Sequence, residues 1–322
     1  MIGQRLARSA SRAITAAKNF AIGYAAMGVL RILRLFPANK AIEIADRSAR
    51  RLGPLVGRHR VALDNLRKAY PEKSEDEIRR IALDMWGNMA RLAAEYIYLD
   101  DLFDWDKQTG QGARIDVEGN AIFDRIAKEP AKAHILFTGH MGNFELLPIS
   151  AAELGIRMTA LFRPPNNPYI ADFIARRRNL AMGDMLASRR GAAISLSRIL
   201  ESGGNIGLLV DQKFQNGVLT TFFGRPCETS PLLPKLARQF DCDVYPARSI
   251  RLPGNRYKLV LYEKLDLPRD AEGRVDVTGT AQMLNDVIEG WVREDPAQWM
   301  WFHKRWKLSR AASARRDEPA AG

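Results

Sequence analysis

The sequence predicts an α/β protein with a largely parallel, mixed sheet flanked by helices and a helical extension at the N-terminus. Three observations carry this expectation. The first third of the chain repeats apolar residues at helical spacing, and from about Arg114 short β-rich runs alternate with helical ones. Between the last two of those runs, Pro253-Gly254-Asn255 reads as a hairpin turn. Strands interleaved with helices form parallel ladders covered on both faces, and the hairpin adds one antiparallel pair.

The elements follow in order. Arg5, Arg8, Arg12 and Lys18 precede an uncharged run from Phe20 to Leu30, too short to span a bilayer before Arg31 and Arg34 interrupt it. On a helical wheel Ile22, Ala26, Val29, Leu33 and Phe36 share a face opposite Arg31 and Arg34. That pattern suits a helix lying in a membrane interface and equally one packed on the protein's own core. No small-residue cleavage site follows the run, so a removed signal peptide is not expected. Helices are predicted over Asn39 to Leu52, over Arg58 to Tyr70, and from the capping box Ser74-Glu75-Asp76-Glu77 to about Tyr98. Strands are predicted at Arg114 to Val117, His134 to Thr138, Arg157 to Phe162, Asn205 to Asp211, Asp243 to Arg251 and Arg256 to Leu265. The tail is rich in Ala, Arg and Pro without periodicity and is expected to be disordered. The chain thus divides into a basic segment with an interface helix at 1–38, a single α/β domain with a helical N-terminal part at 39–308, and the tail at 309–322.

Composition bounds the function. A chain of 322 residues, 46% hydrophobic and 27% charged, buries a sizeable core, and its formal charge of +12 points to an anionic partner: nucleic acid, an anionic membrane or an acidic protein. Cys227 and Cys242 form neither a CxxC pair nor a His/Cys cluster, so neither a disulfide framework nor a metal site is indicated.

Chemistry concentrates at His134 to Pro148, HILFTGHMGNFELLP, which reads as a buried strand, a glycine-flanked turn and the start of a helix. The carboxyl ends of such strands open onto a crevice. Gly139 and Gly142 let the backbone turn around His140 and leave room for a substrate. On a continuous helix Glu145 would lie about 140° from His140, so the two meet only across a turn. There the carboxylate could orient one ring nitrogen and leave the other as a base, as attack by an alcohol requires. No GxSxG elbow offers a nucleophile of the enzyme's own.

Alone, a His and a Glu at this spacing are more often structural. The ordered motifs TGHMGNFE (138–145), FRPPNNP (162–168), VDQ (210–212), TFFG (221–224) and QWMWFHKRWK (298–307) together span about half the chain. The set resembles the bacterial lipid A late acyltransferases, lauroyl and myristoyl transferases of the wider glycerolipid acyltransferase superfamily, whose hallmark is HxxxxD/E. This resemblance implies a glycerol-3-phosphate acyltransferase-like fold at the cytoplasmic face of the bacterial inner membrane. It implies His140 as general base, Glu145 as its partner, and transfer of an acyl group from acyl carrier protein to a hydroxyl of a lipid A precursor. No cofactor is expected beyond the acyl-carrier co-substrate.

Further roles follow from the resemblance. Arg163 and Asn167 are expected to contact substrate, with a surface ion pair as the plain alternative for Arg163. Asp211 would bind the acceptor, pair with a basic group or cap a turn. Arg176, Arg177, Arg178, Arg189 and Arg190 would form a basic face for the acidic carrier. Trp299, Trp301 and Trp306, among His303, Lys304, Arg305 and Lys307, would join Arg31 and Arg34 at the membrane interface, although such a cluster also suits RNA stacking. Phe222 and Phe223 read either as lining of an acyl channel or as core. Two other readings keep their place: the same chemistry on a glycerolipid, an ornithine lipid or a phosphatidylinositol mannoside, and a basic nucleic-acid- or membrane-binding protein without catalysis. No nucleic-acid module is visible, and nucleic acid is not the expected partner.

Overall fold

The computed structural model describes residues 2–309 apart from 107–111, 130, 131 and 182, together with Ser313; side chains at 2–10, 12, 100, 101 and 179–181 are outside that description. The expected disorder of the tail therefore falls outside the described residues, Ser309 and Ser313 excepted.

The helical first third comprises α1 (Ile2–Leu33), α2 (Ala38–Leu52), α3 (Arg58–Ala69), α4 (Glu75–Glu95) and the single turn α5 (Leu99–Leu102). The capping box forms as its residues predict. Ser74 Oγ accepts from the Glu77 amide at 3.3 Å, and the Ser74 amide donates to the Glu77 carboxylate at 2.8 Å. The helix ends at Glu95, three residues before the predicted limit.

Next come β1 (Ile115–Glu118), α6 (Asn120–Lys128), β2 (His134–Thr138), α7 (Leu146–Glu153), β3 (Met158–Phe162), α8 (Pro168–Ala181), β4 (Asp184–Ala187), α9 (Ala192–Glu201) and β5 (Asn205–Leu209). The chain continues through β6 (Val218–Phe222), β7 (Arg225–Thr229), α10 (Leu232–Phe240), β8 (Asp243–Leu252), β9 (Arg256–Leu261) and α11 (Val277–Glu294). Seven strands form one sheet in the order β1-β9-β8-β2-β5-β3-β4, parallel throughout except for the β8–β9 hairpin. The predicted turn closes that hairpin, with Gly254 and Asn255 both in the left-handed region at φ 76° and 57°.

Central β2 shows why the sheet is covered on both sides. Ile135 and Phe137 pack with α3, α4, α10 and α11, whereas Leu136 packs with α5, α6 and α7. Two features escaped the sequence reading. Four-residue β4 forms the sheet edge, and β6–β7 make a separate antiparallel hairpin whose turn holds Phe223 and Gly224 at φ 53° and 63°. Phe222 and Phe223 are core: their rings pack on Trp299, Trp301 and Trp306.

The helix α1 differs from expectation in extent. Its segment Ala13–Leu33 is long and apolar enough to cross a membrane by length and composition, and only 6% of that window is buried. Lys18 and Arg31 do not break the helix, so the apolar stretch is longer than the uncharged run. Ile14, Phe20, Ile22, Tyr24, Val29 and Ile32 are exposed, while Phe20 and Tyr24 lean on Tyr169 of α8.

Beneath the sheet end that carries His140 lies a fully buried carboxylate, Glu95. Arg251 donates to both of its oxygens, and Tyr257 and Asn143 donate as well. Burial works against the Arg251 cation, but Glu95 beside it raises its pKa above the ordinary arginine value. Because removing one member strands the other charge without water, Arg251→Met is expected to cost about 3–5 kcal/mol, read as a lower denaturant midpoint; an unchanged midpoint would refute the network's role.

Candidate active site

Strand register assembles the site. Thr138 of β2 stands opposite Leu209 of β5 in a parallel ladder, so two residues past each lie His140 and Asp211, side by side at the carboxyl edge. The main chain tightens at once after β2, with the Met141 amide bonded to the Gly139 carbonyl at 2.8 Å. Gly142 then takes φ +55°, where an added Cβ would lie 2.3 Å from the Ser249 carbonyl oxygen; only glycine passes. Asn143 is pinned by Glu95 at 2.8 Å and accepts from the Glu145 amide at 3.2 Å.

His140 is held by Asp211. The ring Nδ1 lies 2.7 Å from Asp211 Oδ1, and the His140 main-chain amide donates to Oδ2 at 2.8 Å. Trp299 Nε1 donates to the same Oδ2 at 2.7 Å. Burial opposes ionisation of Asp211, yet the His140 charge and these donors hold its carboxyl well below the usual carboxylate range. An ionised Asp211 fixes a hydrogen on Nδ1, so in the neutral tautomer of the ring Nε2 carries the lone pair. Nε2 lies 2.9 Å from the Gln212 amide nitrogen, which is 3.3 Å from His303 Nε2. One NH₂ group can therefore serve both imidazoles as acceptors.

His303 suits that part. Burial first, then the positive charges of His140, Arg58 and Arg163 push its pKa down to about 4, with Asp211 opposing. Cys242, by contrast, is pushed up to about 11 by burial and by Asp241 and Asp243, which leaves it a thiol at neutral pH. Among the described residues no His/Cys/Asp/Glu group has the makings of a metal site.

Glu145 departs from the sequence expectation. It is buried and forms its ion pair with Arg178, which donates from Nε at 3.0 Å and again from Nη2; Tyr96 shares the guanidinium at 3.2 Å. The cause is local. Glu145 immediately precedes α7 and points under the sheet toward α8, whereas His140 points over the edge toward β5. The partner that the geometry gives His140 is Asp211, expected from the sequence only to bind the acceptor, pair with a basic group or cap a turn.

An apolar cavity begins beside the histidine. Phe144 stands at its near end, its ring centroid 5.1 Å from the imidazole and edge-on to it. Leu136, Ala160, Gly207, Met158, Leu147 and Ala151 line the interior between the sheet and α7, with Glu145 and Arg178 in one wall. Its lining is apolar and offers few hydrogen bonds, which suits a hydrocarbon group, and its free volume of about 70 Å³ holds only part of a fatty chain.

Other expected site residues sort by burial and partners. Arg163 is exposed in the loop after β3, near enough for its charge to act on His303. Asn167 is occupied otherwise: its Oδ1 caps α8 through the Tyr169 and Ile170 amides, and its Nδ2 donates to the Asn19 carbonyl at 2.8 Å, tying α1 down. Arg176, Arg189 and Arg190 are exposed, and Arg176 pairs with Asp172. Arg178 leaves that basic face, because Glu145 draws it inside.

Trp299 and Trp301 are 2% and 0% exposed and belong to the core rather than to a membrane interface. Trp306 is half-buried against Phe222, with Arg225 over its other surroundings at 4.3 Å from the ring centre. Arg31 and Arg34 are exposed on α1 and just after it. Gln212 went unnoticed in the sequence, although it completes VDQ at a strand end where an acceptor or donor faces the crevice.

Fold and site together define an α/β protein with a carboxylate-braced histidine at the carboxyl edge of its sheet, next to an apolar slot. The chain belongs to the bacterial lipid A biosynthesis acyltransferases, whose family model matches residues 10–308. Acyltransferase activity in lipid A biosynthesis is the activity of that family. A search of curated proteins finds no match.

His303 makes a pH prediction. An unfolded histidine titrates near 6.5 and folded His303 near 4, so between those values the unfolded chain binds more protons and stability falls as pH drops. Asp211 adds a loss in the same direction at pH values below about 4. Denaturant midpoints followed from pH 7 to 4 should fall in wild type and fall less in His303→Gln; equal slopes would contradict a neutral, half-buried His303.

Proposed function

We propose that the protein transfers a fatty acyl group from acyl carrier protein to a hydroxyl of a lipid A precursor, with His140 as general base held by Asp211. One observation carries the reading: a buried, ionised Asp211 grips Nδ1 and turns Nε2, covered only by the Gln212 amide, to the crevice beside an apolar slot. An acceptor hydroxyl replaces the Gln212 amide at Nε2. Its oxygen attacks the thioester carbonyl as its proton passes to Nε2, and a tetrahedral oxyanion forms. Collapse expels the carrier thiolate, which takes the proton from His140 and leaves the ester. Neither a cofactor nor a covalent enzyme intermediate enters these steps.

Part of the acyl chain occupies the slot lined by Leu136, Ala160 and Met158. Glu145 works through Arg178, fixing the wall of that slot and the start of α7. Arg163 faces the substrate from the loop after β3. The carrier docks against Arg176, Arg177, Arg189 and Arg190, whose charge suits an acidic partner. Helix α1, with its exposed apolar residues and Arg31 and Arg34, keeps the enzyme at the cytoplasmic face of the bacterial inner membrane, where the anionic lipid acceptor resides.

The test compares variants in purified full-length protein with acyl-carrier thioesters and a lipid A precursor. His140→Ala should abolish turnover, and Asp211→Asn should lower kcat by about 10⁴ with KM for either substrate changed only slightly, as loss of the orienting carboxylate does in a braced-histidine site. Glu145→Gln should instead raise KM for the donor and lower the denaturant midpoint. Wild-type turnover in Asp211→Asn would return the orienting role to Glu145, and preserved turnover in His140→Ala would end the mechanism.

A further inference from the structure

A second concavity lies behind the His303 segment, between α3, the start of β7 and residues 304–307. It has a volume of about 370 Å³, within the size of small-ligand sites. Five cations line it, Arg60, Lys68, Arg225, Lys304 and Lys307, against a single carboxylate, Asp64. That carboxylate is engaged by Lys68 at 2.8 Å. Arg60, Lys304 and Lys307 are exposed and have no carboxylate partner among the described residues. This much unpaired charge of one sign is what an anion-binding surface needs and what stability alone disfavours.

Arg225 distinguishes the concavity from an ordinary basic face. Its guanidinium stacks over Trp306 at 4.3 Å from the ring centre, and its Nη1 is buried with no hydrogen-bond partner among the described residues. A buried donor without a partner is destabilising, and one on a guanidinium more so. A phosphate in the concavity would meet the part of this guanidinium that lines it, and the planar fork matches that geometry. Burial accordingly lowers the Arg225 pKa, with Asp64 opposing, as expected for a cation that lacks its anion.

The concavity shares its framework with the active site. Asn65, in its wall, donates to the carbonyls of Trp301 and His303 at 2.8 and 2.7 Å. Lys304 follows His303, whose Nε2 meets the same Gln212 amide as His140. We propose that Arg225, Arg60, Lys304 and Lys307 bind a phosphate monoester carried on the lipid acceptor's headgroup, anchoring the acceptor while its hydroxyl lies at His140. The identity of the lipid rests on the acyl-transfer reading; the phosphate site does not.

The test uses the full chain in mixed micelles at low salt, with binding read by tryptophan fluorescence and, separately, by acyl transfer. The probes are a glycolipid bearing a phosphate monoester, the same lipid after phosphatase treatment, and inorganic pyrophosphate. Removing the phosphate should weaken binding to wild type at least tenfold. Lys304→Glu/Lys307→Glu, charge reversals at exposed positions, and Arg225→Met should weaken the phosphorylated lipid by about as much and leave the dephosphorylated lipid unchanged.

Equal binding of the two lipids to wild type, or variants that bind the phosphorylated lipid as wild type does, would overturn the proposal. Pyrophosphate bound more tightly than the lipid would overturn the headgroup assignment in favour of free phosphate. Phosphate-dependent binding without any acyl transfer would uphold the site and defeat the acyl-transfer reading instead.

Discussion

Asp211 is the constraint on which the site depends. Its carboxylate is buried, and a buried charge persists only when hydrogen bonds and an opposite charge replace its water. Three donors do so, two of them from His140 and one from Trp299. The donors come from two separate parts of the chain: the turn after β2, and the segment near residue 299 that crosses back over the sheet edge through the Met141–Trp299 bridge. The arrangement is therefore mutual. Asp211 stays ionised because these groups converge on it, and the imidazole has one orientation because Asp211 is ionised. Space is part of the same fit, since a Cβ at Gly139 would lie 3.4 Å from Asp211 Oδ2 and 3.2 Å from Ile288.

Two further buried carboxylates support the same loop from below. Glu95 fixes Asn143 while taking the charge of Arg251, and Glu145 opens α7 while taking that of Arg178. Buried ion pairs add little net stability over an apolar replacement, so their value here lies in direction. Charges that can be satisfied in one geometry hold residues 139–146 in one path between strand and helix. A histidine that must meet a reacting proton within a fraction of an ångström needs such a path.

Much of this was legible in the sequence, and the limits have physical reasons. The six predicted strands exist because β-branched and apolar runs bounded by turn residues have few other ways to bury themselves. β4 was missed because four residues at a sheet edge carry almost no pattern, and β6–β7 because its turn places a phenylalanine at positive φ, where glycine or asparagine is the usual signal. His140 was legible from its flanking glycines. Its partner was not: Glu145 is near in sequence, but Asp211 lies 71 residues away and becomes adjacent only through the β2–β5 register. Composition also misled at residues 299–306, where tryptophans among cations suggest an interface. Arg305 instead lies 1% exposed, bonded to the Glu228 carbonyl, Thr229 and Asn285, and the aromatic rings pack around it.

The position of Gln212 gives the site a selective character. Its amide spans the Nε2 atoms of His140 and His303, so the base is occupied when no acceptor is bound. An incoming hydroxyl must offer Nε2 a hydrogen bond at least as good as the one it displaces, and water does this no better than the amide already there. Exchange becomes favourable when the hydroxyl arrives on a molecule held elsewhere, since its positioning entropy has then been met by other contacts. A side chain that guards the base with a weak, replaceable bond thus discriminates between a tethered alcohol and free water, the distinction that separates acyl transfer from hydrolysis of the thioester.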